Sequence, residues 1–512
     1  MASRAVALIP ALLALIIVAL TLGSAAVTAV WGGGGGLGPA DWAALRFTLL
    51  QAALSAAVSA LLAVPLARAL VRRRFAGRGL LLRLMAAPFL LPVVVAVLGL
   101  LAVFGRSGPV NSLLAVLGLP ALSVFGLHGV VLAHVFLNLP LVTRMLVHGW
   151  QAIPAERFRL AQALGMGPGP QFRHLELPML RATLPGAAAL VFLLCLTSFA
   201  VALTLGGGPK ASTVELAIYQ ALRFDFLPGK AATLAAVQFA LCATVTLAAM
   251  RLARVEGFGA GLGREVEMPA PGGWRRGVDA LMIVLAAGFL LAPLLAVVWR
   301  GAPGVVALPP SVGWAAARSL VVAVLSAVLA AVAALVLMQA RVAGRRWAEL
   351  AAMLPLAASG LVMGTGLFLL VQPVAPVERL ALPVTMLVNA TLALPYLFRL
   401  LLPEALRLEA DYARLAESLS LRGAARLRLL VLPRLARPLG FGTGLAAALS
   451  MGDLGVIALF AGERGVTLPL LVQRLTGAYR MEAAASAALL LVGLSFALFW
   501  LFDRWGARHA AA

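Results

Sequence analysis

Few side chains in this sequence could make or break a bond, and those few are scattered. Its five histidines assemble no nucleophile–histidine–acid set. No Cys/His cluster stands at ligand spacing, so the sequence offers no metal set. Cys195 and Cys242 sit in apolar runs and read as small buried core residues rather than a disulfide framework. Gly206-Gly-Gly-Pro-Lys-Ala-Ser-Thr213 evokes a phosphate loop but lacks the adjacent Gly-Lys-Ser/Thr of that motif. No nucleotide site is expected in the chain, and no enzymatic activity.

What does stand out is a polar pattern that occurs twice. Arg159-Leu-Ala-Gln-Ala-Leu-Gly165 runs through Phe172-Arg173 to Leu177-Pro178. Arg414-Leu-Ala-Glu-Ser-Leu-Ser420 runs through Leu427-Arg428 to Leu432-Pro433, at the same offset throughout (159 to 414, 178 to 433). The offset also pairs Leu139-Pro140 and Arg144 with Leu394-Pro395 and Arg399, and His134 with Asn389. A repeat on half the chain length means two similar halves, each with one copy of the element.

The elements that must carry these copies follow from composition. Apolar residues make up 62% of the chain and charged residues 12%, against about a quarter charged in soluble domains. Segments long enough to span a bilayer are expected near 6–30, 45–70, 84–104, 127–147, 184–205 and 230–251, then near 278–298, 314–338, 348–371, 381–402, 438–460 and 483–502. The first is too long for the apolar core of a signal peptide and reads as an uncleaved helix. Net charge is +22, yet the arginines are scattered over short loops and form no nucleic-acid-binding domain. Arg72, Arg73, Arg74 and Arg78, then Arg341, Arg345 and Arg346, mark inside loops, which puts both termini in the cytoplasm.

The fold expected is therefore an all-α polytopic membrane protein of about twelve helices in two parallel six-helix repeats. The first half covers 1–252, a Gly/Pro-rich cytoplasmic linker 253–276, and the second half 277–512. Gly32–Gly36 reads as a flexible loop.

Each repeated stretch, 155–178 and 410–433, has the periodicity of a helix, a turn and a second helix. Phe158, Ala161 and Leu164 share one face, opposite Arg157, Arg159 and Gln162; Ala413, Ala416 and Leu419 repeat that face. A helix pair with a small-residue face, hung on the cytoplasmic side, suits insertion into a partner's groove.

These stretches resemble the EAA loops of ABC importer permeases, with a central Gly and a terminal Leu-Pro. The resemblance implies the MetI-like type I importer fold and a coupling helix that docks on an ATP-binding subunit. Coupling residues would be Glu156, Arg159, Ala161, Leu164, Gly165 and Pro178, with Asp411, Arg414, Ala416, Leu419, Ser420 and Pro433 in the second copy. The family's leading Glu is replaced by Arg159 and Arg414, and its Gly by Ser420. The lost glycine restricts the second turn if positive φ is needed there, so that copy is expected to dock with altered geometry.

Two further stretches are similar to thiamine importer permeases: Leu203 to Leu222, and Leu449-Ser-Met-Gly-Asp453-Leu-Gly-Val-Ile-Ala-Leu-Phe460 with Val466 to Leu471 and Tyr479-Arg-Met481. The resemblance implies a permease subunit in a bacterial inner membrane, translocating thiamine and its phosphate esters. Its partners would be a homodimeric ATPase, one subunit per loop, using ATP and Mg, and a periplasmic thiamine-binding protein. A fused permease for ferric iron or an oxyanion shares the loops, and an ion-coupled secondary transporter is the rival of another class.

Six polar residues remain as candidates for a path or gate. Asp453 can cap a helix break at Gly452 and Gly455, pair with an arginine, or face a path for a cation. Glu215, Tyr219 and Gln220 fall on an expected external segment where a binding protein would dock. His134 and Asn389 occupy matched positions in spans four and ten, suited to interhelical hydrogen bonds or substrate contact.

Overall fold

The computed structural model describes residues 2–31, 36–85, 90–208, 211–252, 272–306, 308–462 and 465–510. Most of the expected linker (253–271) and of the glycine loop (32–35) lies outside them. Among the described residues the secondary structure is helical, with no strand. Eleven helices among the described residues are long and apolar enough to cross a membrane. The bent pair Trp347–Ala357 and Gly360–Val371, 93° apart, makes a twelfth if taken as one broken span. The protein is an all-α, multi-pass membrane protein.

The side-chain pattern within the helices is that of a protein surrounded by lipid. Helix Pro310–Val342 buries Ala316, Ser319, Ala323, Ala327, Ala330 and Ala334 and turns Val321, Leu325, Val328 and Val332 outward. Small residues let backbones approach, and lipid is as good a solvent for Leu and Val as a neighbouring helix. Pro65, Pro140, Pro293 and Pro395 stand inside long helices, which neighbouring helices tolerate at membrane depth.

Several expected spans are longer or more broken than their apolar runs. The 381–402 run is part of one helix, Ala381–Ser418, that carries on through the first limb of the second repeated stretch. The 438–460 run divides into Leu432–Met451 and Gly455–Phe460, and the 184–205 run into Leu177–Leu196 and Phe199–Leu205.

Two compact units form. One comprises Met1–Asp41, Val214–Ala243 and Gly301–Ala512, the other Trp42–Thr213 and Thr244–Arg300. These units cut across the two sequence repeats. Within the first unit, the opening helix of the chain packs on Gly360–Val371: a Cβ on Gly366 would lie 2.4 Å from the Cβ of Ser24. Within the second, helix Trp274–Gly301 packs on Val93–Phe104. A Cβ on Gly99 would lie 2.6 Å from the Pro293 carbonyl oxygen, and Phe289 stacks edge-on against Phe104 and Phe136. Gly99 and Gly366 are matched in the repeat, each lying seven residues after its helix's N-cap (Pro92 and Ser359). Each repeat's first helix is thus seated on the third-span helix of the other repeat.

Candidate functional site

The two repeated stretches form the same turn. In the first, Ala155–Ala163 ends with Met166 N donating to Ala161 O and Gly165 N to Gln162 O, both at 2.9 Å. In the second, Leu421 N donates to Ala416 O at 2.8 Å and Ser420 N to Glu417 O at 3.0 Å. This is the double hydrogen bond of a Schellman cap, which needs a left-handed residue after the helix. Gly165 has φ 64° and Ser420 φ 53°. The lost glycine leaves the turn itself unchanged: Ser420 adopts the glycine conformation, at a cost of about 1 kcal/mol for its Cβ.

The return limbs also match. Short helices Pro168–Gln171 and Gly423–Arg426 pass into π-helical segments Phe172–Glu176 and Leu427–Val431, then into Leu177–Leu196 and Leu432–Met451. Pro178 and Pro433 sit at the second position of those last helices. A proline there offers no N–H to the carbonyl four residues back, and the wider π turn accommodates the missing bond. The return limb thus continues into the membrane helix instead of ending at the proline.

The faces of the first limb are split. Phe158, Ala161 and Ala416 are buried, whereas Leu164 and Leu419, expected on the same face, are exposed. Leu160 and Leu415 join them, beside exposed Glu156, Arg159, Asp411 and Arg414. Each copy therefore presents two exposed leucines among charged residues.

The first copy is held by residues that the sequence pattern did not single out. Glu176 is 1% exposed and carries a fork from Arg68: Nε to Oε2 at 2.7 Å and Nη2 to Oε1 at 2.8 Å. Arg72 Nη2 reaches Oε1 at 3.4 Å, and Trp150 Nε1 donates to Oε2 at 3.3 Å. The Arg68 guanidinium also lies 4.9 Å from the Phe172 ring centre. With 108 positions between Arg68 and Glu176, no local spacing announces the pair; a lone acid between Leu175 and Leu177 in a basic loop was the available sign.

Above the loops, each repeat holds a buried polar cluster at matched positions. In one, Ser55 Oγ lies 3.3 Å from His134 Nδ1, and Asn138 Nδ2 donates to Cys195 Sγ at 3.6 Å. In the other, Asn389 Nδ2 donates to Ser450 Oγ at 3.0 Å, and Ser450 Oγ to Ser326 Oγ at 3.2 Å. His134 pairs with Asn389 and Cys195 with Ser450 at the loop offset; Leu54-Ser55-Ala56 pairs with Leu325-Ser326-Ala327. The cysteine, read from sequence as core packing, stands where the second repeat has a hydrogen-bonding serine.

Asp453 lies at the break between Leu432–Met451 and Gly455–Phe460. Its carboxylate faces the backbone amides of Gly455, Val456 and Ile457 and the Asn389 side chain, while buried Oδ2 has no hydrogen-bond partner. Ser319, Thr385, Ser450 and Thr467 line the adjoining pocket, which has room for about one water.

Glu215 is not at a surface. It is buried, accepts from Gln238 Nε2 at 3.2 Å and bonds to Ser359, the residue that caps Gly360–Val371. Tyr219 is half-buried with its ring edge-on to Phe224, and Gln220 is exposed. The three do not form one cluster.

Comparison with known proteins bears on this architecture. Residues 57–254 match the family described as binding-protein-dependent transport system inner membrane component. The chain is 42% identical to the thiamine transport system permease protein of Salmonella typhimurium, covering 92% of this chain and 90% of that one. It is 41% identical to the Escherichia coli protein of that name (91% and 90%) and 40% identical to that of Brucella abortus strain 2308 (98% and 95%). With eleven or twelve candidate spans among the described residues, two matched helix–turn–helix loops and relatives that run nearly end to end, the chain belongs to the thiamine transport system permease family of binding-protein-dependent importers.

Proposed function

We propose that the chain is the membrane subunit of an ATP-driven importer that brings thiamine, and its phosphate esters, into the cytoplasm. The observation that carries this reading is the pair of matched loops in a chain whose thiamine-permease relatives run along nine-tenths of it. Each loop presents an exposed two-leucine surface, suited to one subunit of a homodimeric ATPase that supplies the ATP and Mg site. Both loops and both termini are then cytoplasmic, a placement that the arginine distribution supports.

The cycle proposed is alternating access. ATP closes the ATPase subunits beneath the two loops, the membrane helices open outward, and a loaded periplasmic thiamine-binding protein delivers its ligand. Hydrolysis resets the helices inward. The clusters around His134 and Asn389 act as interhelical hydrogen bonds within the moving helices, and Asp453 offers the path a negative group for a cationic substrate.

The test is uptake of labelled thiamine by cells lacking their own permease and supplied with this chain, its ATPase and its binding protein. Uptake that needs all three supports the reading. No uptake with all three present would sink the thiamine assignment, and uptake without the ATPase would favour an ion-coupled carrier.

A further inference from the structure

The two loops solve one mechanical problem in different ways. In the second copy, one helix, Ala381–Ser418, runs for 38 residues from membrane span to turn, with Pro395 and Pro403 inside it. A single helix carries displacement and rotation along its axis even where a proline removes one bond. In the first copy the helix itself is interrupted. Helix Leu127–Ala152 stops at Ile153, whose backbone is extended (φ −71°, ψ 122°), and Pro154 opens a separate helix, Ala155–Ala163. Position 154 pairs with Glu409 in the repeat, so the break is a property of one copy alone.

The buried ion pair is also confined to that copy. At the repeat offset, Glu176 becomes Val431, Trp150 becomes Ala405 and Phe172 becomes Leu427. In the alignment that pairs Ser55 with Ser326, Arg68 becomes Gln339. Every member of the assembly is neutral or smaller in the unbroken copy. There the loop is braced internally instead, by the Arg426–Glu409 ion pair between its two limbs and by Arg434 lying 5.1 Å from the Tyr412 ring centre.

We infer that Glu176 is a positioning residue for transport: through Arg68, Arg72 and Trp150 it ties the broken first loop to the ends of helices Pro39–Arg72 and Leu127–Ala152, replacing the continuity that the second loop has in its backbone. This rests on the proposed coupling of the loops to an ATPase. The geometry fits the role. A forked arginine–carboxylate pair fixes orientation as well as distance. Glu176 stands at the joint between the return limb and its membrane helix, so a movement of the loop reaches two further helices through one side chain. Removing either partner leaves a charge buried without its counter-ion, which loosens the joint.

The experiment compares wild type, Glu176→Gln, and Glu176→Gln with Pro154→Ala, each reconstituted with ATPase and binding protein in proteoliposomes. Thiamine transported, ATP hydrolysed and ATPase retained on the permease are measured together. Glu176→Gln is expected to retain the ATPase and hydrolyse ATP while thiamine per ATP falls about fivefold or more, in the range of a coupling free energy. Pro154→Ala, which lets the helix run through, is expected to restore most of that loss. Unchanged thiamine per ATP in Glu176→Gln would overturn the inference. So would loss of the ATPase in step with transport, which marks a folding residue only, and so would a double variant no better than the single. Should Glu176→Gln fail to reach the membrane, Arg68→Lys keeps the charge and loses the fork; full coupling in that variant would overturn the inference as well. A wild type that carries no thiamine would instead count against the proposed function.

Discussion

Gly99 meets the backbone of Pro293 so closely that a Cβ at position 99 would lie 2.6 Å from the proline oxygen. Gly366 meets Ser24 in the same way in the other compact unit. Both contacts seat a repeat's first helix on the other repeat's third span, and both leave no space for a methyl group. Gly99→Ala and Gly366→Ala are each expected to destabilise by about 1–3 kcal/mol through overpacking. Gly493→Ala, where nothing stands within 4 Å, is expected to be neutral or to stabilise by up to about 1 kcal/mol. Thermal unfolding in detergent checks all three; equal melting temperatures for the three variants would refute the close-contact argument.

The turn residues separate conformation from contact. No atom stands within 4 Å of a Cβ at Gly165, so a substitution there acts through its left-handed φ and through whatever covers the turn. Gly165→Val is expected to insert normally but to hydrolyse ATP without matching transport. Ser420→Gly, which relaxes a residue already in that conformation, is expected to transport at the wild-type level and gain about 0.5–1 kcal/mol. Full transport by Gly165→Val would make the loop a plain connector.

The matched polar clusters predict which exchanges are tolerated. Asn389→Ala removes the donor to Ser450 and is expected to cost about 0.6–2 kcal/mol. His134→Asn installs the residue that the second repeat carries at that position, and its melting temperature is expected to stay close to wild type. A larger loss for His134→Asn than for Asn389→Ala would break the proposed equivalence.

Glu215 faces neutral partners, Gln238 and Ser359, so its shape and hydrogen bonding matter more than its charge. Glu215→Gln is expected to keep expression and stability. Glu215→Leu deprives Gln238 of that acceptor and is expected to cost about 1–3 kcal/mol. Reversal of that order in thermal unfolding would point to a charge requirement instead.

How far the sequence discloses this molecule depends on the range of the interaction. Span count, repeat and loop positions were legible because apolar runs and the Arg159/Arg414 pattern are local signals. The exchange of first helices was not, because Gly99 and Pro293 carry no mark of each other. The passage of the return limbs through Pro178 and Pro433 was not legible, since proline ends helices in water; here a π turn absorbs it. Ser420 misled because the turn's hydrogen bonds, not the residue type alone, set its φ. Glu215 was assigned to an external segment where a binding protein would dock, whereas its burial depends on Gln238 and Ser359. The Glu176 assembly escaped notice since Arg68, Arg72 and Trp150 reach Glu176 from helices distant in sequence.

The exchange of first helices also sets a schedule for biogenesis. Ser24 leaves the ribosome roughly 340 residues ahead of Gly366, which at about 5–20 residues per second is some tens of seconds. Throughout that interval the opening helix lies in the bilayer without the surface it will finally cover. A chain released after its first repeat would keep that face open to lipid or to other newly inserted helices, so the opening helix reaches its final packing only after the second repeat has entered the membrane.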